Sequence, residues 1–209
     1  MSDLHTSADS GIAAAYDARA AEYIDLAGTV EQMAPADRAL ITRWRDATPG
    51  TLLDAGCGPG HWTALLHDGD REVVGVDLSA EFLVSARAAF PHLRFLDGTF
   101  RDLPFPDGSI GGILAWYSLI HTPPTDIPVV LAEFARVLAS DGSILLGFFD
   151  GVTGTAFPHA VTTAYFWSVD ALAEVLAEAG FEIVEQEHRD RGPDEPSRRP
   201  HGAVLARRV

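Results

Sequence analysis

The sequence predicts an open α/β sheet that binds a nucleotide-like cofactor, and three observations carry that expectation. Residues 51–60 read TLLDAGCGPG. Thr51, Leu52 and Leu53 form a short buried strand, Asp54 ends it, and Gly56, Gly58 and Gly60 follow at alternate positions. Glycines so spaced let the backbone turn sharply and approach a ligand with no Cβ in the way. Pro59 suits a first helical turn, whose N–H groups lack internal partners. The second observation is EVVGVD at 72–77, another apolar strand ending in an acid, Asp77. An acid about twenty residues after the glycines can accept both hydroxyls of a ribose. The third is size: 209 residues, 47% hydrophobic and 22% charged, fit one α/β domain with a full core.

The G-x-G-x-G spacing departs from the G-x-G-x-x-G dinucleotide fingerprint, and no G-x-x-x-x-G-K-[ST] phosphate loop occurs. With Asp77 in place, the stretch resembles the first motif of class I S-adenosylmethionine-dependent methyltransferases, D/E-x-G-x-G-x-G. Asp54, Gly56, Gly58 and Gly60 match its four fixed positions. The resemblance runs from about Tyr16 to Arg207. It implies a Rossmann-like, doubly wound sheet of seven strands, six parallel and one antiparallel, with helices on both faces. It also implies an N-terminal helical lid, S-adenosyl-L-methionine as cofactor and no metal. The expected division is a lid segment, 1–50, and a core, 51–209, within a single domain.

In chain order, residues 1–10 are polar and expected to be loose. Tyr16, Ala20, Tyr23 and Ile24 recur at helical spacing and predict a helix over 11–27. Its YDARAAEY resembles the family's lid signature. Tyr16 and Tyr23 either meet the ligand there or form the buried face of the helix, with Tyr16 the better ligand candidate. A second helix spans 35–46, with Leu40, Ile41 and Trp44 on one face. His61 and Trp62 open the helix after the glycine turn. Ser79 caps a helix that reaches Ala89, with Glu81 in its first turn. Strands are predicted at 93–96, 110–117 and 143–149.

The segment DGTFRDLPFPDGS at 97–109 resembles the family's G-D-A-x-x-L-P-F-x-D-x-S, but Thr99 stands for the acid and Phe100 for the small neighbour. Asp97 is either that acid shifted by one or a surface residue. Ile127, Val130, Leu131, Phe134 and Leu138 mark a helix over 126–138. Glu133 and Arg136 are expected to pair on its surface. Residues 150–166 are irregular and expected to face the substrate. Ser168 caps a helix over 169–179 that Gly180 ends. Strands at 181–188 and 203–207 flank a polar link, DRGPDEPSRRP.

The resemblance implies that Asp77 holds the ribose and that Asp54, Gly56, Cys57, Gly58 and Gly60 sit beside the methionine part. Leu78, Gly98, Thr99 and Phe100 then flank the adenosine, and His61, Ala115, Trp116 and Tyr117 complete the wall. His121, near the end of the fourth strand, is the first acid/base candidate, because an imidazole titrates near neutral pH. It is equally suited to a structural bond in the 122–124 loop. Tyr16 and His159 are the further catalytic candidates.

A net charge of −15 argues against a nucleic-acid surface and suits a small-molecule partner, a cationic one included. The single cysteine, Cys57, excludes an internal disulfide. No apolar run approaches a membrane span and no signal pattern opens the chain, so a cytoplasmic monomer or homodimer is expected. Three functions stay open. They are methyl transfer to an O or N atom of a small molecule, a rearrangement beside the same cofactor, and a nicotinamide-dependent oxidation.

Overall fold

The computed structural model describes residues 2–190, 192 and 199–209. Its central sheet grows from short apolar runs: β1 (Leu52–Ala55), β2 (Val73–Asp77), β3 (Arg94–Asp97), β4 (Ile110–Trp116) and β5 (Leu138–Phe149). All four residues of β1 are buried, as expected of a parallel strand covered on both faces. Successive side chains then leave the strand in opposite directions. Leu53 enters one apolar cluster and Leu52 the other.

Two further strands, β8 (Phe181–Arg189) and β9 (His201–Arg208), complete the sheet, and β6 (Ala156–Pro158) pairs with β7 (Thr163–Tyr165) in a separate hairpin. The order is β3-β2-β1-β4-β5-β9-β8. β9 is antiparallel to both neighbours, so it alone runs against the other six. This is the doubly wound, seven-stranded arrangement that the sequence implied.

Helices α1 (Ser2–Asp17), α2 (Ala20–Ala27) and α3 (Pro35–Ala47) precede β1. α4 (His61–Leu66), α5 (Ala80–Ala89), α6 (Ile127–Val137) and α7 (Val169–Glu178) alternate with the strands. α6 and α7 cover one face through Leu131, Phe134 and Leu176, and α3 and α4 cover the other through Ile41, Trp44 and Leu66.

Four expectations need correction. The helix expected over 11–27 breaks at 18–19, where Arg19 N–H bonds the Tyr16 carbonyl, and α1 extends back to Ser2 instead of leaving 1–10 loose. Asp9, within that extension, makes the side-chain contacts described below. β5 begins at Leu138, five residues early, because Leu138 already pairs with Ile110. The irregular 150–166 contains the β6–β7 hairpin, and Tyr165 N–H ties it to the Ile120 carbonyl. Finally, Arg136 and Glu133 are no simple surface pair. Arg136 also bonds the carbonyls of Leu103 and Phe105 and the Asp107 carboxylate, while Glu133 accepts from Leu103 N–H. Together they clamp the 103–107 loop. Most of the polar link at 190–200 lies outside the described residues.

Candidate functional site

Parallel strands end together, so the residues that follow β1, β2 and β4 gather on one edge of the sheet. The turn after β1 is fastened to β2 there. Gly56 and Cys57 N–H both donate to the Val76 carbonyl, at 2.8 and 3.1 Å. The Asp77 carboxylate takes Gly58 N–H on one oxygen and Ser79 N–H on the other, both at 2.8 Å. Burial raises the Asp77 pKa above its ordinary value, and these amide bonds draw it part of the way back.

The glycines divide the work. Gly56 has φ 79°, and a Cβ there would lie 2.2 Å from the Ser118 Cβ, so only glycine lets the loop after β4 pass. At Gly58, with φ 53°, a Cβ would touch only the edge of the Phe82 ring, at 4.0 Å. That cradle is where a ligand can approach backbone. Gly60 serves packing, since a Cβ there would come within 2.9 Å of the Phe95 ring.

Two cavities adjoin this turn, of about 90 and 180 Å³. Tyr16, Tyr23, Gly56, Gly58, Trp116 and Tyr117 line both and form the seam between them. The first cavity also meets Asp77, Leu78, Thr99, Phe100 and His121. The second meets Cys57, His61 and His159. Asp54, Gly60, Gly98 and Ala115, expected at the cofactor, line neither one. Asp54 is buried beneath the turn and accepts the Thr63 hydroxyl at 2.6 Å, and burial pushes its pKa up to about 7. Ala115 belongs to the core, and a Cβ at Gly98 would crowd Val76. Asp97 lies exposed at the end of β3. Burial also raises the Cys57 thiol, which keeps it protonated.

α1 lies across the first cavity and is pinned by its own carboxylates. Asp17 accepts from the Ser79 hydroxyl at 2.6 Å and from Glu81 N–H at 3.2 Å. Asp9 accepts from the Thr99 hydroxyl at 2.7 Å and pairs with Arg101 at 3.5 Å. Neither Asp9 nor Asp17 was singled out from sequence. The signal for Asp17 was its place beside Tyr16 in the lid motif. Asp9 fell in a stretch without apolar period and gave none.

The acid/base candidates converge at the seam. The Tyr16 hydroxyl lies 2.8 Å from His121 Nε2, and His121 Nδ1 lies 2.7 Å from the Thr163 carbonyl. A carbonyl only accepts, so Nδ1 carries the proton and Nε2 accepts from Tyr16. Burial lowers the His121 pKa below its ordinary 6.5 and raises that of Tyr16 well above 10.0. Near neutral pH the pair is therefore a neutral imidazole and a neutral phenol. The ring of His159 sits 5.3 Å from that of His121, and burial, with a smaller effect of His121, holds its pKa at about 4. Burial likewise holds His61 at about 4 and Tyr23 at about 12.

Tyr117 sits just beyond β4 with φ 57°, a conformation that side chains rarely adopt. Its hydroxyl is hydrogen-bonded to Nδ1 of the fully buried His201, which sequence reading missed because the two lie 84 positions apart. Of the 150–167 stretch, His159 reaches the second cavity, whereas Phe166 and Trp167 pack into the core.

Residues 52–142 match a family described as a methyltransferase domain. A malonyl-[acyl-carrier protein] O-methyltransferase from Erwinia billingiae is 38% identical over 98 residues, covering 45% of this chain and 37% of that protein. The chain spans 37% to 52% of the length of several curated relatives it matches. Among solved structures, the [4+2]-cyclase SpnF superposes with a TM-score of 0.78 at 18% identity, covering 94% of this chain and 95% of the other. The 1,6-didemethyltoxoflavin-N1-methyltransferase of Burkholderia thailandensis, solved with bound 1,6-didemethyltoxoflavin and S-adenosylhomocysteine, has a TM-score of 0.73 at 23% identity, covering 94% and 88%.

Proposed function

We propose that the chain, whose residues 52–142 match a methyltransferase domain, is a class I, S-adenosylmethionine-dependent enzyme that transfers a methyl group to an oxygen or nitrogen of a small molecule. One arrangement carries this reading: the neutral Tyr16–His121 pair stands at the seam between two adjoining cavities. The residues fit the cofactor on structural grounds. The cradle at Gly58 admits a group against the backbone, and the Asp77 carboxylate, bonded by the amides of Gly58 and Ser79, keeps acceptor capacity for a ribose hydroxyl. Thr99 and Phe100 then flank the adenine.

When bound, S-adenosylmethionine supplies a methyl already activated on a sulfonium. The protein's part is to align the acceptor behind that carbon and keep water out. α1 and α2 cover the site, and Tyr16 and Tyr23 close it from that side. For a hydroxyl acceptor, Tyr16 oxygen takes the acceptor's proton while its own passes to His121 Nε2. The Thr163 carbonyl holds His121 in the tautomer this requires. An amine acceptor that arrives neutral dispenses with the relay.

S-adenosylhomocysteine should raise the melting temperature of the full chain, and NADH should not. Incubation with S-adenosylmethionine and an acceptor should then add one methyl mass. Stabilisation by NADH alone would overturn the proposal in favour of an oxidoreductase. A product of unchanged mass would favour a rearrangement beside the cofactor, and a [4+2]-cyclase is among the proteins of like fold.

A further inference from the structure

The second cavity holds polar atoms that the relay does not use. His61 is 4% exposed, and neither of its ring nitrogens has a partner among the described residues. Nδ1 of His159 is buried and also without one. Buried polar groups in folded proteins are nearly always bonded, and leaving one unbonded is costly. Two such rings on one cavity wall mark the place where a ligand supplies the missing bonds.

The rest of the wall states what kind of ligand. Trp62, Trp116, Tyr117, Phe149 and Tyr23 present aromatic surface. Among the described residues no Lys or Arg lines the cavity, and its one carboxylate, Asp37, is ion-paired with Arg189. A charged ligand would shed its hydration there and find the one charged wall residue, Asp37, engaged by Arg189. Aromatic walls with a few placed polar groups suit a flat apolar body instead. A neutral imidazole offers one donor and one acceptor, and a hydroxyl can answer either.

Resting on the methyl-transfer reading, we propose that this cavity takes an uncharged, flat aromatic acceptor whose hydroxyl is bonded by His61, with His159 as a second polar contact. The strongly acidic composition had suggested a cationic acceptor, but that charge is spread over the protein, and the one carboxylate on this wall, Asp37, is ion-paired with Arg189. His61, on the first turn of α4, thereby serves as a specificity residue.

The test is calorimetric titration of the full chain loaded with S-adenosylhomocysteine. The probes are 2-naphthol, 2-naphthoic acid and 2-naphthylmethylamine. 2-Naphthol should bind at least tenfold tighter than either charged analogue. His61→Phe should weaken 2-naphthol at least tenfold and leave S-adenosylhomocysteine affinity in place. His61→Asn, which keeps a donor and an acceptor, should recover part of the loss. Equal or tighter binding of a charged analogue would overturn the inference, as would no binding of 2-naphthol beside normal binding of S-adenosylhomocysteine. A His61→Phe protein that loses S-adenosylhomocysteine but not 2-naphthol would move His61 to the cofactor. Failure of S-adenosylhomocysteine to bind the parent chain would instead sink the methyl-transfer reading, and this inference with it.

Discussion

The two cavities share a seam yet are built by different kinds of contact. The first is made where parallel strands end side by side. β1 and β2 pair Asp54 with Gly75, and β2 and β3 pair Asp77 with Asp97, so the sheet register alone brings residues 56–58, 77–79 and 99–101 together. The second shares the glycine turn and the end of β4 with the first, and adds α3, α4, the end of β5 and the β6–β7 hairpin. Beyond the strand ends, helix and loop packing sets those distances. The contrast teaches where to expect a shared chemistry and where an individual one: register repeats from protein to protein, whereas loop and lid packing differs with each sequence.

The largest effect that would test this contrast belongs to the register-built side. Asp77→Ala removes an acceptor for two hydroxyls and should weaken S-adenosylhomocysteine by roughly 100-fold or more, about 3 kcal/mol. Unchanged affinity by calorimetry would remove the ribose assignment and with it the division of labour between the cavities.

His121→Ala strikes the seam. It should slow turnover of a hydroxyl acceptor by about 100-fold while cofactor affinity moves little. In the parent, His121 must be neutral to accept a proton. Burial holds its pKa below the ordinary imidazole value, so the acid limb of turnover should have its midpoint below pH 6.5. A midpoint above pH 6.5 would assign the proton transfer to another group.

The smallest effect reads the second cavity through stability. His61 is held at about 4 in the folded chain against an ordinary 6.5. Below pH 6.5 the unfolded state binds the proton that the folded state refuses, so the parent loses stability as pH falls from 6.5 toward 4. His61→Phe escapes that loss. Its melting temperature should therefore exceed the parent's by a margin that widens from pH 8 to pH 5. A constant margin would show that His61 is not the buried neutral group described.

Legibility in the sequence follows the same divide. Asp54, the three glycines and Asp77 could be read because each meets a requirement local to a strand end: a turn at positive φ, a close approach, an acid on the next strand. Even there, Asp54, Gly60, Gly98 and Ala115, expected at the cofactor, line neither cavity in the tertiary structure. Glu133 and Arg136 looked like a helix surface pair at i,i+3, and only the packed loop shows that they bind 103–107. Asp9 and His201 were illegible, since nothing near them in the chain signals a partner 90 or 84 positions away.

By itself the sequence determined the strand, turn and helix order, and hence the doubly wound sheet and the edge on which the two cavities lie. Hydrophobic period and glycine spacing act over a few residues, and parallel pairing carries their order into space. Which side chains meet at the seam was decided by the tertiary structure alone. Tyr16 reaches His121 across 105 positions and Thr163 orients that ring from 42 positions further on. Such contacts depend on how a lid and a hairpin settle on the sheet, a sum of many weak packing terms that no short motif encodes.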